Sequence, residues 1–298
     1  MPPVFGFRPK QPVIWYHSRL DRSNHHCLYC GRFVGDGYLP SNEEHWIGKK
    51  FVPPGAFRTG QEFNFLFRAC KECNGRKSRL EAHLSSVTLF TSPARLTDQG
   101  IDERARHKAE EEFHPVDRKP VANAQRELSL NVAGRGISMQ FGLTGPPQPH
   151  AEYVAELARM HIQGLFSLVT TADPVKGTLC WLSPELFRLV GWYASDDWGN
   201  PHLIEVSRRV HDWPRLALVD TAGGFFRAVA RRESCEEAEW FWALEWNQSL
   251  RIFGGITDRE RPKVFDGLPP MPWVQLDAGT RWRRERTLQE GEDILFVD

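Results

Sequence analysis

Four of the six cysteines fall into two Cys-x2-Cys pairs, Cys27/Cys30 and Cys70/Cys73, with 39 residues between the pairs. No other feature restricts the fold of this chain so strongly. Each pair brings two thiols together within one tight turn. Two such pairs suit the tetrahedral four-sulfur coordination of a zinc ion. Disulfides require an oxidising compartment. The opening stretch MPPVFGFRPKQP lacks the apolar segment of a secretory signal, so the expectation is a cytoplasmic protein with reduced thiols. No apolar run of about 18 residues marks a membrane span, and no membrane partner is expected. Two redox-active or merely buried cysteine pairs are the alternative to zinc. Cys180 and Cys235 stand outside the pattern and read as core residues.

A zinc ion held by four thiolates has no position open for water, so its contribution is to folding. In small zinc peptides that contribution is about 10–16 kcal/mol. A segment of about 60 residues is short of apolar core and gains most from such a staple. The staple closes a long loop, and that loop contains NEEHWIG.

The whole chain is electrically neutral, with 38 basic and 38 acidic residues. Its charge is unevenly placed. Between residues 46 and 80, Lys49, Lys50, Arg58, Arg68, Lys71, Arg76, Lys77 and Arg79 stand against only Glu62 and Glu72, a local net charge of +6. Such a stretch steers a polyanion even on a neutral protein; a solvated charged face has the same composition.

Inside and just after the staple, Glu44 precedes His45, and Cys73 runs directly into Asn74 with Lys77 three residues on. This combination over about residues 25–85 resembles the HNH endonuclease family, the zinc-stapled branch of the ββα-metal nucleases. The resemblance implies a metal-dependent endonuclease that hydrolyses DNA, with RNA as the lesser alternative substrate. His45 would be the general base, since a neutral imidazole is suited to that role near pH 7. Glu44 and Asn74 would hold one Mg2+ or Mn2+ ion through oxygen. Lys77, one helical turn beyond Asn74, would place a point charge on a phosphate, and Lys49, Lys50, Arg68, Lys71, Arg76 and Arg79 would contact the nucleic-acid backbone. Three departures from the family pattern bear on these roles, the first being that the acidic position is often aspartate, so that Glu44 would reach one methylene further. Gly48 stands where the family has proline. Asn64 lies one position from the middle asparagine and would orient His45 only across a β-bulge. In a regular strand Glu43, not Glu44, shares the face of His45, which makes Glu43 the second candidate ligand. A zinc-stapled nucleic-acid-binding module that does not cleave is the competing reading.

The fold expected is α+β: a small zinc-bound ββα-metal nuclease module followed by a larger mixed α/β C-terminal domain. Proline and glycine cluster between His114 and His150, which sets the expected domains at 1–113, a connector at 114–150, and 151–298. DERARHKAEEEF reads as a helix with mixed surface charge, and RELSLNVAGRGISMQF as a hairpin or connector. AEYVAELARMHIQGLFSLV carries apolar residues at helical spacing, and RLALVDT and FFRAVARR read as strands. EEAEWFWALEWNQSLRIFGGI is a strand pair or a strand and a turn. Nine of the eleven tryptophans follow residue 180 and can form a core there. The C-terminal part is available for target recognition, for homodimerisation or for a regulatory protein partner. RWRRERT, at 281–287, is a second basic stretch.

Overall fold

The computed structural model describes residues 24–35, 37–57, 63–124, 126–134, 137–170, 181–234, 239–275 and 281–297. Most of the N-terminal lead-in, Arg58, Glu62, Cys180 and Cys235 lie outside the described residues.

Strand β1 (Ser41–His45) pairs antiparallel with β2 (Leu66–Cys70), in unbroken register from Ser41↔Cys70 to His45↔Leu66. The register has no bulge, so the condition for Asn64 to orient the His45 ring through one is not met. Helix α1 (Lys71–Phe90) follows β2 without a linker, with Cys70 as its N-cap. Its second half is buried on almost every side, although it carries Glu81, His83, Ser85, Ser86 and Thr88. The hydroxyls are satisfied locally: Ser86 donates to His83 O and Thr88 to Leu84 O, while Ser85 donates to Phe51 O. A helix with polar groups bonded this way can sit inside a core without an apolar stripe. Helix α2 (Gln99–Glu111) is capped by Asp98, whose carboxylate accepts the Ile101 N–H, and buries Ala105 and Ala109. Strands β3 (Arg126–Gly134) and β4 (Ile137–Gly145) form a hairpin in the proline- and glycine-marked segment. Helix α3 (Ala151–Thr170) spans the predicted helical sequence.

The remaining strands are β5 (Phe187–Ala194), β6 (Arg215–Thr221), β7 (Phe226–Arg232), β8 (Trp240–Trp246) and β9 (Leu250–Ile256). They form one antiparallel sheet in the order β5-β9-β8-β7-β6. Helix α4 (Pro201–His211) joins β5 to β6. Every residue of β8 and β9 is buried, because the sheet is covered on both faces. Trp240, Trp242, Leu244 and Trp246 point into a core shared with α3 and the β1–β2 ribbon. Phe241 and Ala243, of opposite parity, join Phe253, Val264, Phe265 and the Leu203, Val206 and Val210 face of α4. A strand buried on both faces shows no alternation, which is why this stretch could not be assigned from its pattern. Asn247 and Gln248 between the two strands both have positive φ, 52° and 54°, and Ser249 N–H returns to Trp246 O. This is the mirror-image turn favoured in hairpins.

The ribbon and the sheet are stitched together. Trp46 is fully buried and its indole N–H donates to His161 O of α3 at 2.8 Å. The ring lies against Gly164, where a Cβ would stand 2.5 Å from it. Asn247 donates to Phe51 O and to Thr88, and Thr221 to Phe63 O. One apolar cluster therefore runs from Cys27 to Ile256. The class is mixed α+β. No helix among the described residues is long and apolar enough to cross a membrane.

Candidate metal centre and adjoining cleft

Cys27 and Cys30 sit on a knuckle closed by Gly31 N–H to Cys27 O and Cys27 N–H to Arg32 O, with Gly31 at φ 70°. Cys70 ends β2, and Cys73 lies in the first turn of α1, its N–H directed at Cys70 Sγ. The four sulfurs all lie within 4.8 Å of one another, none in a disulfide, and Cys30 Sγ is 4.0 Å from Cys70 Sγ. Tetrahedral Zn–S bonds of about 2.3 Å require sulfur–sulfur separations of about 3.8 Å, so the cage fits a zinc ion with little adjustment. The thiols also influence one another's protons. Cys27 is pushed up to about 12, first by its bond to Cys30, and Cys73 is raised by its bonds to Cys27 and Cys30, while Cys30 is lowered by its bonds to Cys27 and Cys73. Four thiolates at this spacing repel one another unless a cation sits among them. Asn24 ties the knuckle to β2, donating to Arg68 O and accepting from Arg68 N–H. Neither neighbouring histidine joins the cage: His26 packs its ring on Phe33 instead.

Because α1 starts inside the cage, its first turns are fixed against β1. Asn74 donates from Nδ2 to Glu43 O at 3.4 Å, leaving its Oδ1 without a partner among the described residues. Glu43, Glu44, His45 and Asn74 line one open cleft of about 530 Å3. Gly48, Lys49 and Lys50 follow from the β1 side, and Ser78 and Ala82, one and two turns beyond Asn74, extend the α1 side. All four border the cleft, but in the unbroken strand Glu43 and His45 share one face while Glu44 is turned to the other, toward Lys77. Burial first, then the charges of Lys49 and Lys77, lower the pKa of His45 below its ordinary value. These surroundings favour the neutral imidazole.

Lys77 lies elsewhere than expected. Its side chain is fully buried and does not reach solvent. Its ammonium donates to Glu44 Oε1 at 2.7 Å, to Glu81 Oε1 at 2.7 Å and to His45 O at 3.0 Å. A phosphate contact from Lys77 is thereby corrected: all three of its donors are spent inside the protein. The longer glutamate at position 44 reaches this ammonium with one carboxylate oxygen, and the other has no hydrogen-bond partner among the described residues. Burial raises the Glu44 pKa, opposed by Lys77.

Glu81 is the residue that sequence reasoning missed. Burial alone would raise its pKa, but Lys77 and His161 hold it well below the usual carboxylate range. It also accepts the Gly48 N–H at 2.9 Å, and a Cβ on Gly48 would stand 2.2 Å from its other oxygen. The departure at position 48 has this physical reason: proline has no N–H to give and no room for its ring. Asn64 likewise acts through backbone, accepting the Ile47 N–H and donating to Ile47 O. It shapes the turn after His45 rather than holding the ring. The signal for Glu81 was weak, since it is one acid 33 residues from its Gly48 partner.

The predicted backbone contacts differ in their surroundings. Lys49 and Lys50 are exposed and line the cleft. Lys71 and Arg79 are exposed on α1. Arg68 donates to Ser41 Oγ, and Arg76 pairs with Glu156 of α3. In the C-terminal basic stretch Arg283 is bound by buried Asp197, and Arg286 by Glu292. Trp46, Trp240, Trp242 and Trp246 are fully buried. No protein-family model matches the chain. No curated protein matches it. No solved structure matches it.

Proposed function

We propose that this chain is a metal-dependent endonuclease of HNH type that hydrolyses DNA phosphodiester bonds. The observation that carries the reading is the single cleft shared by His45, Glu44 and Asn74 beside a four-cysteine cage. His45, favoured in its neutral form by its surroundings, accepts the proton of the attacking water. The unbonded oxygen of Glu44 and Oδ1 of Asn74 are hard donors for Mg2+ or Mn2+. When bound there, the cation supplies charge stabilisation for the leaving 3′-oxygen. Lys77 is a positioning residue: it fixes one oxygen of Glu44 and the His45 carbonyl, and so sets how both side chains meet the cleft. Zinc in the cage maintains the approach of α1 to β1. Lys49 and Lys50 provide charge for the backbone at the cleft edge. The sheet domain is left for recognition of the target or of a protein partner.

The bond between Lys77 and Glu44 favours a second reading. A carboxylate half-neutralised by a buried ammonium is a weaker cation ligand, which suits a module that binds nucleic acid without cutting it. Incubating supercoiled plasmid with the purified protein and Mg2+ or Mn2+ separates the two. Relaxed or linear product, lost on chelation and in His45→Ala, is expected. A retarded DNA band with no product from the wild type establishes the binder instead, and product from a labelled RNA alone reassigns the substrate.

A further inference from the structure

The β1 side and α1 make only part of the cleft; α2 contributes another wall. Arg104 and Lys108 are four residues apart, so they share one face of α2, and both line the cleft. The Arg104 guanidinium makes no hydrogen bond or ion pair among the described residues, and its Nε is shut off from solvent. The shielded Nε is closed to a ligand as well as to water; what Arg104 offers the cleft is the donors of its two terminal nitrogens, which no protein acceptor takes up among the described residues. The Lys108 ammonium donates to Ser85 Oγ at 2.6 Å and to Lys50 O, which leaves one of its three donors unused. Burial, Arg104 and Lys50 lower its pKa to about 8, opposed by Glu81 and Glu112. Two cations held together with unspent donors are stabilised by an anion between them. Glu111, at the end of α2, and Glu112, its C-cap, line the cleft as well and bound the positive stretch. They favour a single phosphate group over a broad polyanionic face.

We infer that Arg104 and Lys108 form a phosphate-binding pair on the α2 wall of the cleft, positioned to hold a phosphodiester of the strand presented to His45. That the phosphate belongs to a nucleic acid rests on the function proposed above; the anion site itself does not. Guanidinium forks match phosphate oxygens in two parallel bonds, and the lysine adds a point charge. The mixed charge of the α2 sequence, which reads as a solvated helix surface, thus resolves into one face turned to the cleft.

The test uses the zinc-loaded full chain and inorganic phosphate as the probe. Thermal melting is compared in phosphate and in chloride at equal ionic strength, for wild type, Arg104→Gln, Lys108→Gln and Arg106→Gln. Arg106 is exposed on the same helix and pairs with Asp102, so its variant controls for helix charge alone. Arg104→Gln removes no hydrogen bond and relieves the repulsion on Lys108, so it is expected to melt no lower than wild type in chloride. Phosphate is expected to raise the melting temperature of wild type and Arg106→Gln but not of Arg104→Gln or Lys108→Gln. Affinity for a labelled DNA duplex, measured with Ca2+ in place of Mg2+, should lose about one unit of salt slope in each of those two variants. No phosphate response in the wild type, or an equal response in Arg104→Gln, overturns the inference. A wild type that responds to phosphate through these residues but cuts no plasmid leaves the anion site standing and removes the nuclease. A wild type that cuts plasmid with no phosphate response does the reverse.

Discussion

Lys77 stabilises the protein only while its carboxylates are present, because an ammonium and two acids out of water depend on one another. Replacing Lys77 by Met leaves Glu44 and Glu81 buried without their cation. A loss of about 3–5 kcal/mol is expected in urea denaturation, and adding Glu81→Gln to Lys77→Met should restore part of it. His45 gives a second prediction at this scale. In the proposed function it accepts a proton only when neutral, and its folded pKa lies below the ordinary 6.5. The cleavage rate should therefore rise with pH through a half-point under 6.5. Lys49→Gln removes a positive charge that lowers this pKa, so the half-point should move upward; an unmoved pH–rate profile would show that another group limits the rate. His45, Glu44 and Asn74 were legible because neighbouring residues form a motif. Glu81 was not, because its partners Gly48, Lys77 and His161 converge only after α1 and α3 have docked. The sequence pattern gives the place of Lys77 on the helix but not its surroundings. Helical spacing put it one turn from Asn74, and nothing in the sequence says that this face turns inward to Glu44.

Among the elements, the ribbon and α1 depend on the cage at their junction. Cys70 closes β2 and caps α1 in one residue, so a metal held by the cage would brace both. One zinc per chain is expected by elemental analysis. Cys73→Ser should lose it, and the backbone amides of β1 and β2 should then exchange with solvent faster than those of β8 and β9. Helix junctions supply another test. His83 of α1 is buried, with both ring nitrogens unbonded, against His114, His150 and Tyr153. Burial and those two histidines lower its pKa to about 4. The unfolded chain then binds the proton more readily than the folded one between pH 6.5 and 4. Stability should fall as pH drops through that window, by roughly 3 kcal/mol from this residue at most. His83→Phe should flatten that arm of a stability–pH curve, and an unchanged slope would assign it to His161. Helix α3 was legible from its apolar spacing and α2 from its mixed charge, and the sequences of β6 and β7 read as strands. β8 and β9 were not, because helix-covered faces on both sides erase the alternation that marks a strand.

At the scale of the whole molecule, the metal cage, the cleft and the sheet share one core. Trp46 reaches from the end of β1 into α3, and only a glycine at 164 makes room for it. Gly164→Ala should therefore cost about 1–3 kcal/mol through overpacking. Tryptophan fluorescence, which reports the sheet, and far-ultraviolet dichroism should shift together to a lower midpoint in the variant. Separate transitions would mean that ribbon and sheet unfold independently. Proline and glycine between His114 and His150 signalled a break in the chain's regular structure, and a hairpin lies there. Composition could not report that Phe51, Phe63 and Trp46 reach across to Asn247, Thr221 and His161, since those contacts pair residues more than 100 positions apart.

Anomalous scattering from crystals soaked in Mn2+ tests the central claim most directly, since it locates both ions at once. The account predicts a zinc peak among the sulfurs of Cys27, Cys30, Cys70 and Cys73, and a manganese peak in the cleft between the free oxygen of Glu44 and Asn74 Oδ1, beside His45. A cage without zinc, or manganese bound away from those two residues, would contradict it.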